Sequence, residues 1–337
     1  MINKSLILPF FAWAISLSSI NSDIPAQVNR INVKDIHIRD PFIIADEVTE
    51  TYYMYASIAN RLFTTDSLQG VEVYTSKDLE TWSEPVPVFI VDKNFWGQES
   101  AWAPEVHQYN GKYYLFVTFT SDESLPVIND RPALYKRGTQ ILVSASPTGP
   151  FAPFHNRSHT PQDWMALDGT LWVENNKPYM IFCHEWIQMG DGTIELVGLK
   201  KDLSDVKGKP ETLFKASDAS WVRDLKVAGA DGTVYKSLVT DGPFIYQTKN
   251  NKLLMIWSSF GDDDYAVGVA ESTSGSIKGP WRQKDKPLYG SDGGHGMIFR
   301  TFDGRMMLSI HQPNKNPDER AKFIELVEKD DMLYVNY

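Results

Sequence analysis

Five segments of this 337-residue chain repeat one pattern, and this repeat constrains the fold more than any other feature of the sequence. Each segment has a small or proline residue, an apolar strand, a polar turn and an aromatic-rich strand, as in VTDGPFIYQTKNNKLLMIWSS from Val239 to Ser259. Alternation on both sides of a short turn predicts a β-hairpin. The residues that mark the five segments are 54 to 73 positions apart, and they are Asp40, Pro104, Asp168, Asp241 and His295.

Further hairpin-like segments fill the intervals between the five repeats, and no long helical pattern separates them. Five similar units of about four strands each predict an all-β fold, a single five-bladed β-propeller. No Ser- or Gly-rich linker divides the chain, so we expect one propeller domain over residues 30–337. Helices should be nearly absent.

The predicted propeller places the marker residues together. The first strand of each blade lines the central channel, and the markers stand at the start of these strands, so they should gather around one mouth of the channel. The second strand of each blade runs back antiparallel. Glu185, Ser259 and His311 should therefore lie near the same mouth.

Three of the markers, Asp40, Asp168 and Asp241, are carboxylates. A single aspartate at a strand entrance often only forms the turn. If all five markers only formed turns, however, the same residue type should occur in all five units, and here it does not. Three convergent carboxylates suit glycoside hydrolysis, in which one acts as base, one as acid, and a third group tunes the acid. Sugar rings stack on aromatic side chains, and Trp102, beside a marker, is the predicted substrate-binding tryptophan.

Four motifs of the chain, RDPFI, WAPEVH…GKYYLF, LDGTLWVENNKPYMIF and GGHGMIF, together resemble glycoside hydrolase family 43. The resemblance covers nearly all of the chain after its N-terminal segment. It implies a five-bladed propeller enzyme that acts mainly on arabinose- and xylose-containing glycans and inverts the anomeric centre. It also implies that Asp40 is the general base and that Asp168 positions the general acid and modulates its pKa.

The fourth repeat departs from the family pattern. The family usually has Glu-Gly-Pro there, with the Glu as general acid, whereas this chain has Asp241-Gly242-Pro243. Aspartate is one methylene shorter, and a misplacement of about 1 Å can cost on the order of 100-fold in rate. Three alternatives stay open: Asp241 still acts as the acid, Glu185 of the CHEW sequence supplies it, or the protein binds sugar without cleaving it.

His295 marks the fifth repeat. A lone histidine is more often a hydrogen-bonded structural residue than a metal ligand, although the resemblance implies contact with a calcium ion or with water in the channel. Calcium prefers oxygen ligands, so one histidine cannot form a site unaided. We expect no required cofactor and allow a structural calcium ion in the central channel, with His295 as its candidate ligand.

Charge and cysteine content limit the partners. The net charge is −10 and no basic run occurs, which argues against nucleic acid as a partner. Cys183 is the single cysteine, so no disulfide framework is available, and its apolar strand predicts a small core residue.

The N-terminal segment resembles a secretion signal. Lys4 precedes the apolar stretch LILPFFAWAI, which is too short to span a bilayer. We predict a signal peptide over residues 1–20, a secreted or periplasmic location, and no membrane insertion after the signal is removed.

These observations predict a glycoside hydrolase that cleaves arabinofuranosyl- or xylosyl-containing plant-type glycans, with an oligosaccharide or polysaccharide as substrate. Two other functions stay open: a non-catalytic glycan-binding propeller, and an active glycosidase for a different sugar.

Overall fold

A computed structural model describes residues 29–60, 68–126, 131, 134–229 and 232–336. The predicted signal peptide over residues 1–20 lies outside these residues. Short helices are the only helical structure in the described part of the chain: α1 (Trp186–Met189) and three 3-10 turns at Val33–Asp35, Ile58–Asn60 and Ala216–Asp218.

Five antiparallel sheets form the blades of a five-bladed β-propeller, as predicted. Blade 1 contains β1 (Arg30–Asn32), β2 (Phe42–Asp46), β3 (Thr51–Ser57), β4 (Gly70–Ser76), β5 (Thr81–Ser83) and β6 (Val86–Ile90). Blade 2 contains β7 (Ser100–Tyr109), β8 (Lys112–Leu125), β9 (Leu134–Ser144) and β10 (Ala152–Pro153). Blade 3 contains β11 (Ala166–Glu174), β12 (Lys177–His184), β13 (Thr193–Leu199) and β14 (Val206–Lys215).

A short two-stranded sheet lies between blades 3 and 4 in the sequence and consists of β15 (Val227–Ala228) and β16 (Val234–Tyr235). Blade 4 contains β17 (Asp241–Gln247), β18 (Leu253–Gly261), β19 (Asp264–Ser272) and β20 (Trp281–Gln283). Blade 5 contains β21 (Gly294–Arg300), β22 (Met306–Gln312), β23 (Arg320–Lys329) and β24 (Met332–Val335).

The first strands of the repeats form the inner ring. Strand β2 contacts β7, β7 contacts β11, β11 contacts β17, β17 contacts β21, and β21 contacts β2 again. Neighbouring inner strands are therefore in contact all the way around the channel, and the ring is closed. The apolar core lies between neighbouring blades and consists of four clusters of buried side chains. One cluster joins blade 1 to blades 2 and 5, and the other three join blades 2 and 3, blades 3 and 4, and blades 4 and 5.

Each inner strand carries a residue with positive φ at the mouth of the channel. In blades 2 to 5, the pairing with the second strand shifts here by one residue, which is the signature of a β-bulge. A proline or glycine follows each of these residues, which are Asp40 (φ 53°), Ala103 (φ 45°), Asp168 (φ 56°), Gly242 (φ 44°) and His295 (φ 52°).

These bulges correct two of the sequence markers. The structural equivalent of Asp40, Asp168 and His295 in blade 2 is Ala103, not Pro104, and in blade 4 it is Gly242, not Asp241. Asp241 stands one position earlier and is paired with Ser258 before the bulge, just as Trp102 is paired with Thr118. Spacing alone missed the offset because a bulge inserts a residue without changing the apolar pattern.

Cys183 is fully buried, as predicted for a core residue. Among the described residues, no helix has the length and apolar character needed to cross a bilayer.

Candidate active site

One pocket of about 480 Å³ opens at the channel mouth, and all six site residues predicted from the sequence line it. Inner strands and the turns before them supply Asp40, Trp102, Asp168, Asp241 and His295, and Glu185 follows the second strand of blade 3. The antiparallel return of β12 brings Glu185 to the mouth, as the strand argument predicted.

Three basic side chains surround the carboxylate of Asp40. Its Oδ1 lies 3.0 Å from His311 Nδ1, 3.3 Å from His295 Nδ1 and 3.7 Å from Arg39 Nε. Burial alone would raise the pKa of Asp40, but His295, Arg39 and His311 together hold it well below its usual range. Asp40 is therefore ionised and can accept a proton.

Asp168 has the opposite electrostatic environment. It is almost fully buried, and its Oδ2 accepts a hydrogen bond from the Gly242 backbone N–H at 3.1 Å. Burial, the neighbouring charge of Asp241, a hydrogen bond with Asp241 and the charge of Asp40 raise the pKa of Asp168 well above its ordinary value. Asp168 and Asp241 thus form a pair of carboxyl groups that favours holding a proton between them.

Asp241 is the more accessible member of this pair, since it is half-buried and Asp168 is buried. The Tyr265 hydroxyl donates a hydrogen bond of 2.7 Å to Asp241 Oδ2. This contact was not predictable from the sequence, because Tyr265 belongs to the third strand of blade 4, which the repeat pattern does not place at the channel.

Glu185 is buried and forms an ion pair with Arg137, a second residue that sequence reasoning missed. The pKa of Glu185 is raised above its ordinary value, because burial outweighs the opposing effect of the Arg137 guanidinium. Arg137 also lies 4.4 Å from the ring centre of Trp102, whose side chain is 41% exposed. Arg137 therefore contacts two residues of the pocket: it forms a cation–π interaction with Trp102 and an ion pair with Glu185.

His311, which was expected near the mouth without a role, is fully buried and contacts Asp40. Its Nε2 lies 3.2 Å from Asn314 Oδ1, which also accepts a hydrogen bond of 2.8 Å from Arg39. Arg39 directly precedes Asp40 in the RDPFI motif, so the sequence did contain a signal for it.

A cation would find three candidate ligands here. Among the described residues, one donor atom each of Asp168, Asp241 and His295 lies within 4.8 Å of the others. A separate cavity beside His295 measures about 10 Å³, which is the size of a single water position. Calcium takes six to eight oxygen ligands, so these side chains would supply only part of its coordination and water molecules would have to supply the rest.

The fold and the site define a class of protein. A propeller whose channel mouth holds one carboxyl group with a lowered pKa and another with a raised pKa, beside an exposed tryptophan, has the features of a glycosidase.

Comparison with known proteins gives the family. The sequence model of the family described as "Glycosyl hydrolases family 43" matches residues 31–331 of this chain. The chain belongs to glycosyl hydrolase family 43, and the predicted class of glycosidases is confirmed.

Three proteins illustrate the similarity. An endo-arabinase from Bacteroides thetaiotaomicron VPI-5482, known from its crystal structure, shares 42% sequence identity with this chain, and the two structures match with a TM-score of 0.77. The match covers 89% of this chain and 98% of that chain. An α-L-arabinofuranosidase from Lactobacillus brevis is 18% identical with a TM-score of 0.69, over 91% and 97% of the two chains, and shows the fold alone. The alpha-L-arabinofuranosidase 43 of Humicola insolens is 22% identical, and the match spans 95% of this chain but only 66% of that protein.

Proposed function

We propose that this protein hydrolyses glycosidic bonds of arabinofuranosyl-containing glycans with inversion of the anomeric centre. The observation that carries the proposal is the contrast between two carboxyl groups in one pocket: Asp40 lies 3.0 Å from His311 and 3.3 Å from His295, whereas Asp168 is buried beside another acid, Asp241. The lowered pKa of Asp40 suits a base, and the raised pKa of Asp168 favours a proton on the Asp168–Asp241 pair, from which Asp241 can act as the acid. The 42% identity to an endo-arabinase favours arabinofuranosyl over xylosyl substrates.

In this proposal Asp40 removes a proton from water, and the resulting hydroxide attacks the anomeric carbon from the face opposite to the leaving oxygen. Asp241 gives its proton to that oxygen as the glycosidic bond breaks. Asp168 shares a hydrogen bond with Asp241 and lowers the tendency of the pair to ionise fully. The products are two sugars; Asp40 then releases the proton it took to solvent, and Asp241 takes up a proton from solvent before the next turnover.

Asp241 is a better candidate for the acid than Glu185. Arginine is charged at every pH of interest, so protonation of Glu185 would leave the Arg137 guanidinium, which is 10% exposed, without its counter-charge. An ionised Glu185 is instead suited to accept hydrogen bonds from sugar hydroxyls. We therefore propose that Glu185, Arg137 and Trp102 form a substrate-binding wall.

The reaction uses carboxyl groups and water, so we propose that it needs no cofactor. A structural calcium ion in the central channel stays a proposal, with His295 as its candidate ligand. Export to the periplasm or the cell exterior also stays a proposal. It is supported by the N-terminal sequence and by the nature of the substrate, since polysaccharides do not cross a cell membrane unaided.

The test measures hydrolysis of linear arabino-oligosaccharides, 4-nitrophenyl α-L-arabinofuranoside and 4-nitrophenyl β-D-xyloside by the wild type and three variants. We expect Asp40→Asn and Asp241→Asn to lose about 10²- to 10⁴-fold in kcat on oligosaccharides, and Glu185→Gln to raise KM more than it lowers kcat. NMR of the first-formed product reports inversion or retention.

Other results have definite meanings. Retained activity in Asp241→Asn together with loss in Glu185→Gln would reassign the acid to Glu185. Preference for the xyloside, or for another sugar on a wider panel, would change the substrate. Binding of arabino-oligosaccharides by calorimetry without turnover would identify a glycan-binding propeller.

A further inference from the structure

We infer that Tyr265 is a positioning residue for the proton donor, holding the carboxyl group of Asp241 in place through a hydrogen bond from a strand that does not line the channel. This inference rests on the proposed role of Asp241 as the acid. It concerns how an aspartate can serve where the family usually has the longer glutamate.

The hydrogen bond is short and buried. Tyr265 is fully buried at the second position of β19, and its hydroxyl lies 2.7 Å from Asp241 Oδ2. Burial and the neighbouring Asp241 charge raise the pKa of Tyr265 well above 10, so the phenol keeps its proton and donates it to the hydrogen bond. The ring is stacked on His311 at 5.6 Å with an angle of 20° between the planes.

Blade 5 leaves space for this ring. At the position before the residue with positive φ, blades 1 to 4 carry large or charged side chains, namely Arg39, Trp102, Leu167 and Asp241, whereas blade 5 has Gly294. A Cβ at Gly294 would lie 2.4 Å from Tyr265 Cε1. The ring of Tyr265 thus occupies the place that a blade 5 side chain would take, and this is how a third-strand residue reaches the mouth.

The same tyrosine connects the two halves of the proposed chemistry. Its hydroxyl contacts the acid candidate Asp241, and its ring packs on His311, which contacts the base candidate Asp40. A hydrogen bond to one carboxyl oxygen restricts rotation of the whole group. Because an error of about 1 Å in the position of a reacting group can cost on the order of 100-fold in rate, this restriction is expected to act on proton transfer rather than on substrate binding.

The experiment compares two leaving groups in Tyr265→Phe. A sugar leaving group needs the proton of the acid, whereas 4-nitrophenolate leaves with little assistance. We expect kcat for linear arabino-oligosaccharides to fall roughly 10- to 100-fold, with KM within about twofold of the wild type. Release of 4-nitrophenol from a 4-nitrophenyl arabino-oligosaccharide should fall less than about threefold, because Asp40 and the binding wall are intact.

Tyr246→Phe is the matched control. Tyr246 lies on β17 and donates an equally short hydrogen bond of 2.7 Å to a carboxylate, Glu328, outside the pocket. We expect this variant to keep the wild-type kcat on both substrates. Tyr265→Phe should also have no further effect on oligosaccharide hydrolysis in an Asp241→Asn background, since the group that it positions is then absent.

Gly294→Ala gives a second route to the same result if Tyr265→Phe folds poorly. It keeps the tyrosine hydroxyl but forces the ring to move, and we expect the same selective loss on oligosaccharides.

Several outcomes would overturn the inference. These are an unchanged oligosaccharide kcat in Tyr265→Phe, an equal loss on both leaving groups in both variants, and an additive loss in the Asp241→Asn background. In each case an active wild type leaves the proposed function in place. An inactive wild type on the whole glycoside panel would instead overturn the proposed function, and this inference with it.

Discussion

The carboxyl groups of Asp40 and Asp168 lie 3.3 and 3.9 Å from the same atom, His295 Nδ1, yet their pKa values shift in opposite directions. Asp40 also has Arg39 and His311 beside it, whereas Asp168 is buried next to another acid. An acid whose pKa is raised on folding binds its proton more tightly in the folded state, so stability from this source is lost as pH rises through the folded pKa. The site thus sacrifices stability for function at neutral and alkaline pH.

At this scale, we predict that Asp168→Asn raises Tm relative to the wild type at pH 8, and that the difference shrinks as pH falls toward the ordinary pKa of an aspartate in the unfolded chain. The amide resembles the protonated carboxyl group but cannot ionise. Calorimetry from pH 5 to 9 measures the difference, and hydrolysis should be strongly impaired in the variant. A Tm below that of the wild type at pH 8 would contradict a raised pKa at Asp168.

Asp78→Asn is a control with the opposite sign. Slight burial opposes ionisation of Asp78, but hydrogen bonds from Thr81, Glu80 and Ser76 outweigh it and lower the pKa to about 2. Stability from this group is present above its unfolded pKa and is lost as pH falls. Asp78→Asn should therefore lower Tm at neutral pH.

The bulge in the inner strands of blades 2 to 5 is the element that directs side chains toward the channel mouth. It adds one residue to β7, β11, β17 and β21 and turns the side chains on either side of it toward the mouth. In blade 4 the bulge residue is Gly242, which has φ 44° and whose added Cβ would lie 2.8 Å from His295 Cδ2. Its backbone N–H also donates to Asp168. Glycine here lets blade 4 approach blade 5 closely.

We predict that Gly242→Ala lowers activity on the preferred substrate by about 100-fold or more, because the methyl group displaces His295 from between the carboxylates. The left-handed backbone adds a cost of about 1–2 kcal/mol in stability. Gly304→Ala is the matched control, since it also has positive φ (87°) and no atom within 4 Å of the added Cβ. Equal effects of the two substitutions on activity would show that backbone strain, not contact with His295, is responsible.

At the scale of the whole molecule, the described residues share no strand between the first and last blades: blade 1 contains residues 30–90 and blade 5 contains residues 294–335. Side-chain and backbone contacts join them instead. Tyr52 stacks on Phe302 at 4.1 Å and its hydroxyl accepts a hydrogen bond of 2.9 Å from the Phe302 backbone N–H. Near the mouth, Ile38 N–H donates to Glu319 O. Asp40 and His295 belong to the two blades that this seam joins.

We predict that Tyr52→Phe destabilises the protein by about 0.5–1.5 kcal/mol and lowers Tm by roughly 1–4 °C, because the Phe302 N–H loses its acceptor. Calorimetry measures the shift. Tyr334→Phe, on the outermost strand of blade 5 where the side chain is 49% exposed, should change Tm by less than about 1 °C. A similar small change in both variants would mean that this contact does not support the seam.

Much of the architecture was predictable because the signals are local. Alternation with period two, polar turns and five repeats predicted the strands, the blades and the mouth at which Asp40, Asp168, Asp241, Glu185, Trp102 and His295 gather. The offset of Asp241 from the other markers was not predictable, because a bulge changes register without leaving a mark in the apolar pattern.

The sequence by itself determined the propeller and the carboxylates at its mouth, since strand periodicity and repeat order are properties of neighbouring residues along one chain. Tertiary structure alone decided which groups flank those carboxylates. Tyr265 reaches Asp241 through the space beside Gly294, and Arg137 of blade 2 pairs with Glu185 of blade 3. Contacts of this kind depend on the packing of one blade against the next, and protonation follows them because burial and neighbouring charge set each pKa.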